Sequence, residues 1–176
     1  MIHIIMSNYY DSIAKGYDEL HGEEQLKKLE LIGREITADS KLNYFIKPSY
    51  KLLDVGCGTG ISTGFFKVKE KFGVDPSKSL IRIARVNYPF IDFFVGSSEQ
   101  LTFKDKQFDA VISLTAIQNF DDVDKGLNEI KRVGKHFILT FLKKSPKKDR
   151  IEELIQKKFS VVKKIEEDKD WIYFCE

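Results

Sequence analysis

Three glycines on alternate positions stand in Leu52-Leu53-Asp54-Val55-Gly56-Cys57-Gly58-Thr59-Gly60, directly after an apolar run and before Ile61. Glycine admits positive φ and carries no Cβ, so main chain there can turn sharply and lie against a ligand beside the N–H groups that open a following helix. A dinucleotide loop spaces its glycines as GxGxxG, whereas Ile61 follows a GxGxG spacing here, which counts against a dinucleotide. Asp54, expected at the mouth of the loop, suits a ligand whose nearby group is a cation. Twenty-one residues further on, Asp75 ends the next apolar segment, where a carboxylate can accept both hydroxyls of a ribose. The competing reading makes Asp75 the cap of a helix opened by Pro76 and Ser77.

These residues need strands and helices in strict alternation to hold them. Apolar spacing predicts strands at Lys51–Val55, Phe72–Val74, Ile91–Val95, Phe108–Leu114 and His136–Leu142. Helices are predicted from about Ile61, over Lys78–Asn87, and over Val123–Val133 with Gly134 as its stop. Near-continuous apolar strands separated by helices describe a parallel sheet covered on both faces, a doubly wound α/β fold. After a helix over Lys148–Lys158, the turn Glu166-Glu167-Asp168-Lys169 is too short for a crossover, so Phe159–Ile165 and Trp171–Cys175 form an antiparallel hairpin. That makes seven strands. Upstream, helical spacing from Asn8 to about Ile36 reads as two helices broken near His21-Gly22. The 176 residues are expected to form one domain, with residues 1–48 as N-terminal helices and 49–176 as the α/β core.

Composition narrows the classes. A net charge of +2 is too small to imply nucleic-acid binding by itself, but Lys143 to Lys164 contains nine Lys or Arg against three acids. That run is either a solvated helix face or a patch for RNA. Two cysteines, Cys57 and Cys175, stand far apart without a CxxC partner, so no disulfide framework or metal site is expected, and a reducing, cytoplasmic setting fits. The opening MIHIIM is too short for a signal-peptide core, and no run is long enough for a membrane span.

S-adenosylmethionine carries an amino group, a sulfonium and a ribose but no phosphate, which meets the demands of the glycine loop. The segments LLDVGCGTG, FGVDPS, VGSSEQLTFKDKQFDAVIS and YYDSIAKGYDEL resemble the class I S-adenosylmethionine-dependent methyltransferases with a methyltransferase-11 type core, over nearly the whole chain from Tyr9 to Cys175. The resemblance implies a Rossmann-like sheet of order 3-2-1-4-5-7-6 with strand 7 antiparallel, in agreement with the hairpin. It implies that Asp54 helps hold the amino group, that Gly56, Cys57, Gly58, Thr59 and Gly60 face the methionine and ribose portions, and that Asp75 and Pro76 lie at the ribose. Leu114 and Thr115 follow the fourth strand in the loop that faces the methyl group. Where the family commonly has Gly-Asp at the adenine, this chain has Gly96-Ser97; Ser97 and Ser98 are expected there, with somewhat weaker binding because a hydroxyl lacks charge. Tyr10 and Tyr17, seven apart, would share one helical face over the methionine end, or else simply pack on the sheet.

No catalytic base is identified. Tyr10, Tyr17, Gln118 and Asn119 are the candidates, the last two also readable as a loop leading into the next helix; His21 reads better as a surface residue, and His3 and His136 as uninvolved. The loop contains no Asn-Pro-Pro-Tyr or Asp-Pro-Pro-Tyr tetrapeptide, which in the family disfavours planar amine acceptors. Leu142 is joined to Phe159 by little more than one basic helix, so the site is expected to be open and suited to RNA or protein. The alternative is a small molecule of the metabolite or quinone-precursor type. The apolar run Phe90 to Val95 lies on an expected sheet edge, where relatives of this core are held by a small zinc-ribbon activator protein; helices covering Phe93 and Phe94 are the competing reading.

Overall fold

The computed structural model describes residues 17–176. The described chain opens with helix α1 (Tyr17–Ala38) and continues β1 (Lys51–Val55), α2 (Ile61–Phe65), β2 (Glu70–Asp75), α3 (Lys78–Asn87), β3 (Asp92–Val95) and β4 (Phe108–Ser113). A short 3-10 turn (Ile117–Asn119) follows, then α4 (Val123–Val133), β5 (Gly134–Leu142), α5 (Lys148–Lys158), β6 (Val161–Glu166) and β7 (Asp170–Cys175). The strands form one sheet of order β3-β2-β1-β4-β5-β7-β6. β1 to β5 pair in parallel, and β7 runs antiparallel to both β5 and β6. The expected Rossmann-like topology is therefore the observed one.

Both sheet faces are buried, which explains why the central strands read as unbroken apolar runs. Leu53, Val55 and Val111 pack with Leu127 and Ile130 of α4 and with Ile151, Leu154 and Ile155 of α5. On the opposite face Leu52, Ala110, Ile112, Ile138, Ile172 and Phe174 meet Leu29 and Ile32 of α1. Side chains of successive strand residues point to opposite faces, so neighbours Leu52 and Leu53 serve different layers.

The helix break expected at His21-Gly22 is absent: α1 continues through both positions. A glycine in a helix interior costs only about 1 kcal/mol relative to alanine, and the fully buried Leu29 and Ile32 further along give α1 a packed face that outweighs it. The part of the first predicted helix that precedes Tyr17 lies outside the described residues. Among the described residues no helix is long and apolar enough to cross a membrane.

Candidate active site at the carboxyl ends of the strands

The glycine loop leaves β1 with three left-handed residues, Gly56 at φ 80°, Gly58 at φ 53° and Gly60 at φ 87°. Space demands glycine as well. A Cβ on Gly56 would stand 2.4 Å from Cβ of Ala116, and one on Gly60 would stand 2.8 Å from Cζ of Phe93. The loop's N–H groups are largely spent within the protein. Those of Gly56 and Cys57 donate to the Val74 carbonyl (2.8 and 3.1 Å), and that of Gly60 donates to the Cys57 carbonyl (2.9 Å). The Gly58 N–H donates to Oδ2 of Asp75 at 2.9 Å. The N–H groups of Gly56, Cys57, Gly58 and Gly60 are thus turned to protein acceptors.

Asp75 is buried and organises the floor of the site. Its Oδ1 accepts from the Ser77 N–H at 2.9 Å, while Ser77 Oγ accepts from the Leu80 N–H at 3.2 Å and is the N-cap of α3. The capping role belongs to Ser77, which leaves Asp75 facing the cleft. A carboxylate oxygen has two acceptor sites and can serve more than one donor.

Asp54 does not stand at the mouth. It is completely buried beneath the loop, and its Oδ2 accepts from Ser62 Oγ at 2.5 Å and Thr63 Oγ1 at 2.8 Å. Its Oδ1 is buried without a protein partner. Burial pushes this carboxyl up to about 6 against the two hydroxyl donors, with the Asp75 charge adding to the rise. An acid at the end of a central strand is covered by the loop that follows it, and the sequence does not report that depth. Burial also pushes the Cys57 thiol well above its ordinary value, with the nearby Asp75 and Asp54 charges contributing, so the thiol is not a ready nucleophile.

The cleft encloses about 860 Å³ of empty space, part of it open to solvent, within the ~300–1,000 Å³ common for small-molecule sites. Gly56, Cys57, Gly58, Thr59, Asp75, Pro76, Ser97, Ser98, Leu114, Thr115 and Asn119 all line it. Gly60 sits behind the loop against Phe93 and Tyr88. Gln118 turns inward and donates from Nε2 to the Thr115 carbonyl at 2.6 Å. Tyr10 lies outside the described residues, and of Tyr17 only the backbone is described. His136 sits among Tyr44, Phe45 and Tyr50.

Residues missed in the sequence complete the walls, two polar ones among them. Gln25 reaches the cleft from α1, and Glu99 enters from the turn after β3. Ser97 Oγ donates to Glu99 Oε2, and the Glu99 N–H returns to Ser97 Oγ at 3.1 Å. Burial raises the Glu99 carboxyl, but these bonds and those from Ser98 and the Asp122 N–H outweigh it and hold the group below its ordinary value. A carboxylate thus stands in the cleft two positions after the serine that follows Gly96, and the spacing Ser97-Ser98-Glu99 was the available signal. Asp75, Glu99 and Asp121 are the charged residues among the described lining, and no Lys, Arg or His joins them.

Elsewhere, five members of the basic run are ion-paired: Lys143 with Glu166, Arg150 with Asp124 and Glu153, Lys158 with Asp124, Lys163 with Glu35 and Asp39, and Lys164 with Glu152. On edge strand β3, Phe93 points inward to Cys57, Ile81 and Ala84. Phe94 and Val95 remain 43% and 45% exposed, and the neighbouring Phe90 is fully exposed.

A ligand for this cleft needs hydroxyls for Asp75, positive charge to suit an acidic lining, and no phosphate. S-adenosylmethionine fits on all three counts. Among known proteins, residues 53–137 match the methyltransferase-11 family, a methyltransferase domain. The demethylmenaquinone methyltransferase of Streptomyces avermitilis is 29% identical over 132 residues, 74% of this chain and 55% of that protein. The magnesium protoporphyrin IX methyltransferase of Synechocystis, solved with bound S-adenosylmethionine, shares the fold at TM-score 0.76 and 15% identity, over 99% of this chain and 96% of that one. A chain of the Haloferax volcanii complex between the Trm112 methyltransferase activator and a methyltransferase shares it at TM-score 0.71 and 17% identity, over 94% of this chain and 96% of that one. The chain spans about half the length of the curated relatives it matches. The matched stretch runs from β1 through the glycine loop and Asp75 into β5, the part of the sheet that carries the cleft, so the cleft lies within the stretch that is similar to the methyltransferase-11 family of methyltransferase domains.

Proposed function

We propose that this chain, acting as one domain over residues 1–176, transfers a methyl group from S-adenosylmethionine to a macromolecular acceptor, RNA or protein. The observation that carries the transfer itself is the acidic, phosphate-averse lining around Asp75 and the glycine loop. When bound, S-adenosylmethionine supplies an electrophilic methyl group on a good leaving group. The chain's own task is to orient and desolvate the acceptor for in-line displacement. Asp75 accepts the ribose hydroxyls, and Ser97, Ser98 and Glu99 meet the adenine. Thr59 and the backbone of Gly56 to Gly60 lie along the methionine portion, with Asp54 acting through Ser62, which lines the cleft. Leu114, Thr115 and Asn119 form the wall toward the acceptor.

A large acceptor is supported by the direct passage from β5 into α5, since residues 143–147 hold no insertion that would roof the cleft. The exposed Phe90, Phe94 and Val95 at the β3 edge support docking of a small zinc-ribbon activator protein, in line with the partner named for the Haloferax volcanii structure. RNA contact through Lys143 to Lys164 rests on those members outside the ion pairs. The second reading, a small-molecule acceptor, is favoured by the quinone-precursor enzyme among the relatives. Calorimetry with S-adenosylhomocysteine tests the cofactor assignment, and no heat at millimolar ligand overturns it. Labelled methyl transfer into fractionated RNA and protein, run beside a panel of quinone precursors, separates the acceptors: turnover on the panel alone, without a partner, sinks the macromolecular reading.

A further inference from the structure

Thr115 lines the cleft yet holds φ at +56°, a left-handed conformation that a β-branched residue rarely adopts. Such strain persists only where the surroundings over-determine it. Here every polar group of Thr115 is engaged, each by a different element. Its N–H donates to Thr140 Oγ1 of β5 at 2.7 Å, and its carbonyl accepts from Gln118 Nε2 at 2.6 Å. Its hydroxyl donates to Asp170 Oδ2 at the start of β7 at 2.8 Å and accepts from Lys28 Nζ of α1 at 2.5 Å. Lys28 and Asp170 also form an ion pair with each other, at 1% and 0% side-chain exposure.

A buried ion pair is not an economical way to stabilise a fold, since apolar side chains of similar volume usually serve as well or better. This one does something apolar side chains cannot, for it grips both lone pair and proton of one hydroxyl. The grip is transmitted: Ala116, next in the chain, closes over Gly56, where any Cβ would stand 2.4 Å from its own. The conformation of Thr115 therefore sets the packing between the acceptor-side wall and the glycine loop.

We propose that Lys28 and Asp170 are positioning residues which hold Thr115 in its left-handed conformation and thereby tie the docking of α1 and β7 to the shape of the cleft. The proposal deepens the methyltransferase reading and rests on it only for the ligand readout below.

The test uses the full chain and two double variants. Lys28→Met with Asp170→Val removes the pair and the acceptor, whereas Lys28→Met with Asp170→Asn removes both charges but keeps an acceptor for the Thr115 hydroxyl. In the first, NMR backbone shifts of Thr115 should move to the common negative-φ range while those of β1 and β4 stay put, and S-adenosylhomocysteine should bind about tenfold more weakly. In the second, both readouts should fall between those of the parent protein and the first variant, because the acceptor for the hydroxyl is kept while the Lys28 donor is lost. Thr115→Val, which deletes only the hydroxyl and leaves the pair in place, should repeat the first pattern even if the apolar double variant fails to fold. Retention of positive φ in Thr115→Val, or equal loss of it in both double variants, overturns the proposal. If the parent protein binds no S-adenosylhomocysteine, the cofactor reading fails, but the Thr115 shifts still decide this one.

Discussion

At the glycine-loop end of the cleft, one continuous stretch from Asp54 to Ser77 supplies the turn, the floor carboxylates and the helix cap. At the acceptor end, the groups that meet at Thr115 come from Lys28, Gln118, Thr140 and Asp170. The first is shaped mainly by backbone and by the absence of side chains. The second is shaped by side chains brought together from four elements. Local construction tolerates little at each position because backbone cannot be swapped, whereas a distributed network can be altered one partner at a time. Methyl transfer needs both, a fixed cofactor and an acceptor wall that can be specialised.

The comparison is broken most severely where the two ends touch. Gly56→Val would place a side chain into Ala116 at positive φ, and we expect a stability loss of about 2–4 kcal/mol with S-adenosylhomocysteine binding lost in calorimetry. Parent-like binding would mean that the ends do not press on each other.

Asp54 sharpens the local end through pH. Its folded carboxyl titrates near 6, above its ordinary 3.8, so the folded state holds the proton more tightly than the unfolded chain. The resulting stability is complete below about pH 4, is lost as pH rises toward 6, and changes no further above that, a span worth about 3 kcal/mol. Denaturant titrations from pH 4 to 7 should show this fall in the parent, and Asp54→Asn should flatten it. Equal slopes in the two proteins would mean that burial of Asp54 does not govern the loop.

Asp75→Ala removes the acceptor of the Gly58 and Ser77 N–H groups together with the ribose contact. Affinity for S-adenosylhomocysteine should fall about tenfold or more, as for a charge-assisted contact, and an unchanged dissociation constant would place the ribose elsewhere. The smallest effect is expected from Glu99→Gln, which keeps the Ser97 hydrogen bond but not the charge. About threefold weaker binding, near 0.6 kcal/mol, is anticipated, and no change would mean that the carboxylate orders the turn without reaching the ligand.

How much was legible follows the same division. Strand and helix positions from Lys51 to Cys175 could be read because period and turn residues act over a few neighbours, and α3, α4 and α5 begin and end where the spacing placed them. The order of the sheet came through resemblance, with only its final hairpin dictated by a short turn. The continuity of α1 through Gly22 was hidden, because a weak local preference yields to packing of Leu29 and Ile32. Lys28 gave no signal at all. A lysine on a charged helix reads as solvated, and its acidic partner stands in a strand at the far end of the chain.

The sequence by itself determined the loop, its glycines and the presence of two acids at strand ends, since these depend on allowed backbone angles and on alternation along the chain. Only the tertiary structure decided which acid faces the cleft, that the Glu99 carboxylate lines it beside Ser97, and that a buried ammonium meets Thr115. Burial and long-range partnership are properties of assembled layers, and no window of neighbouring residues contains them.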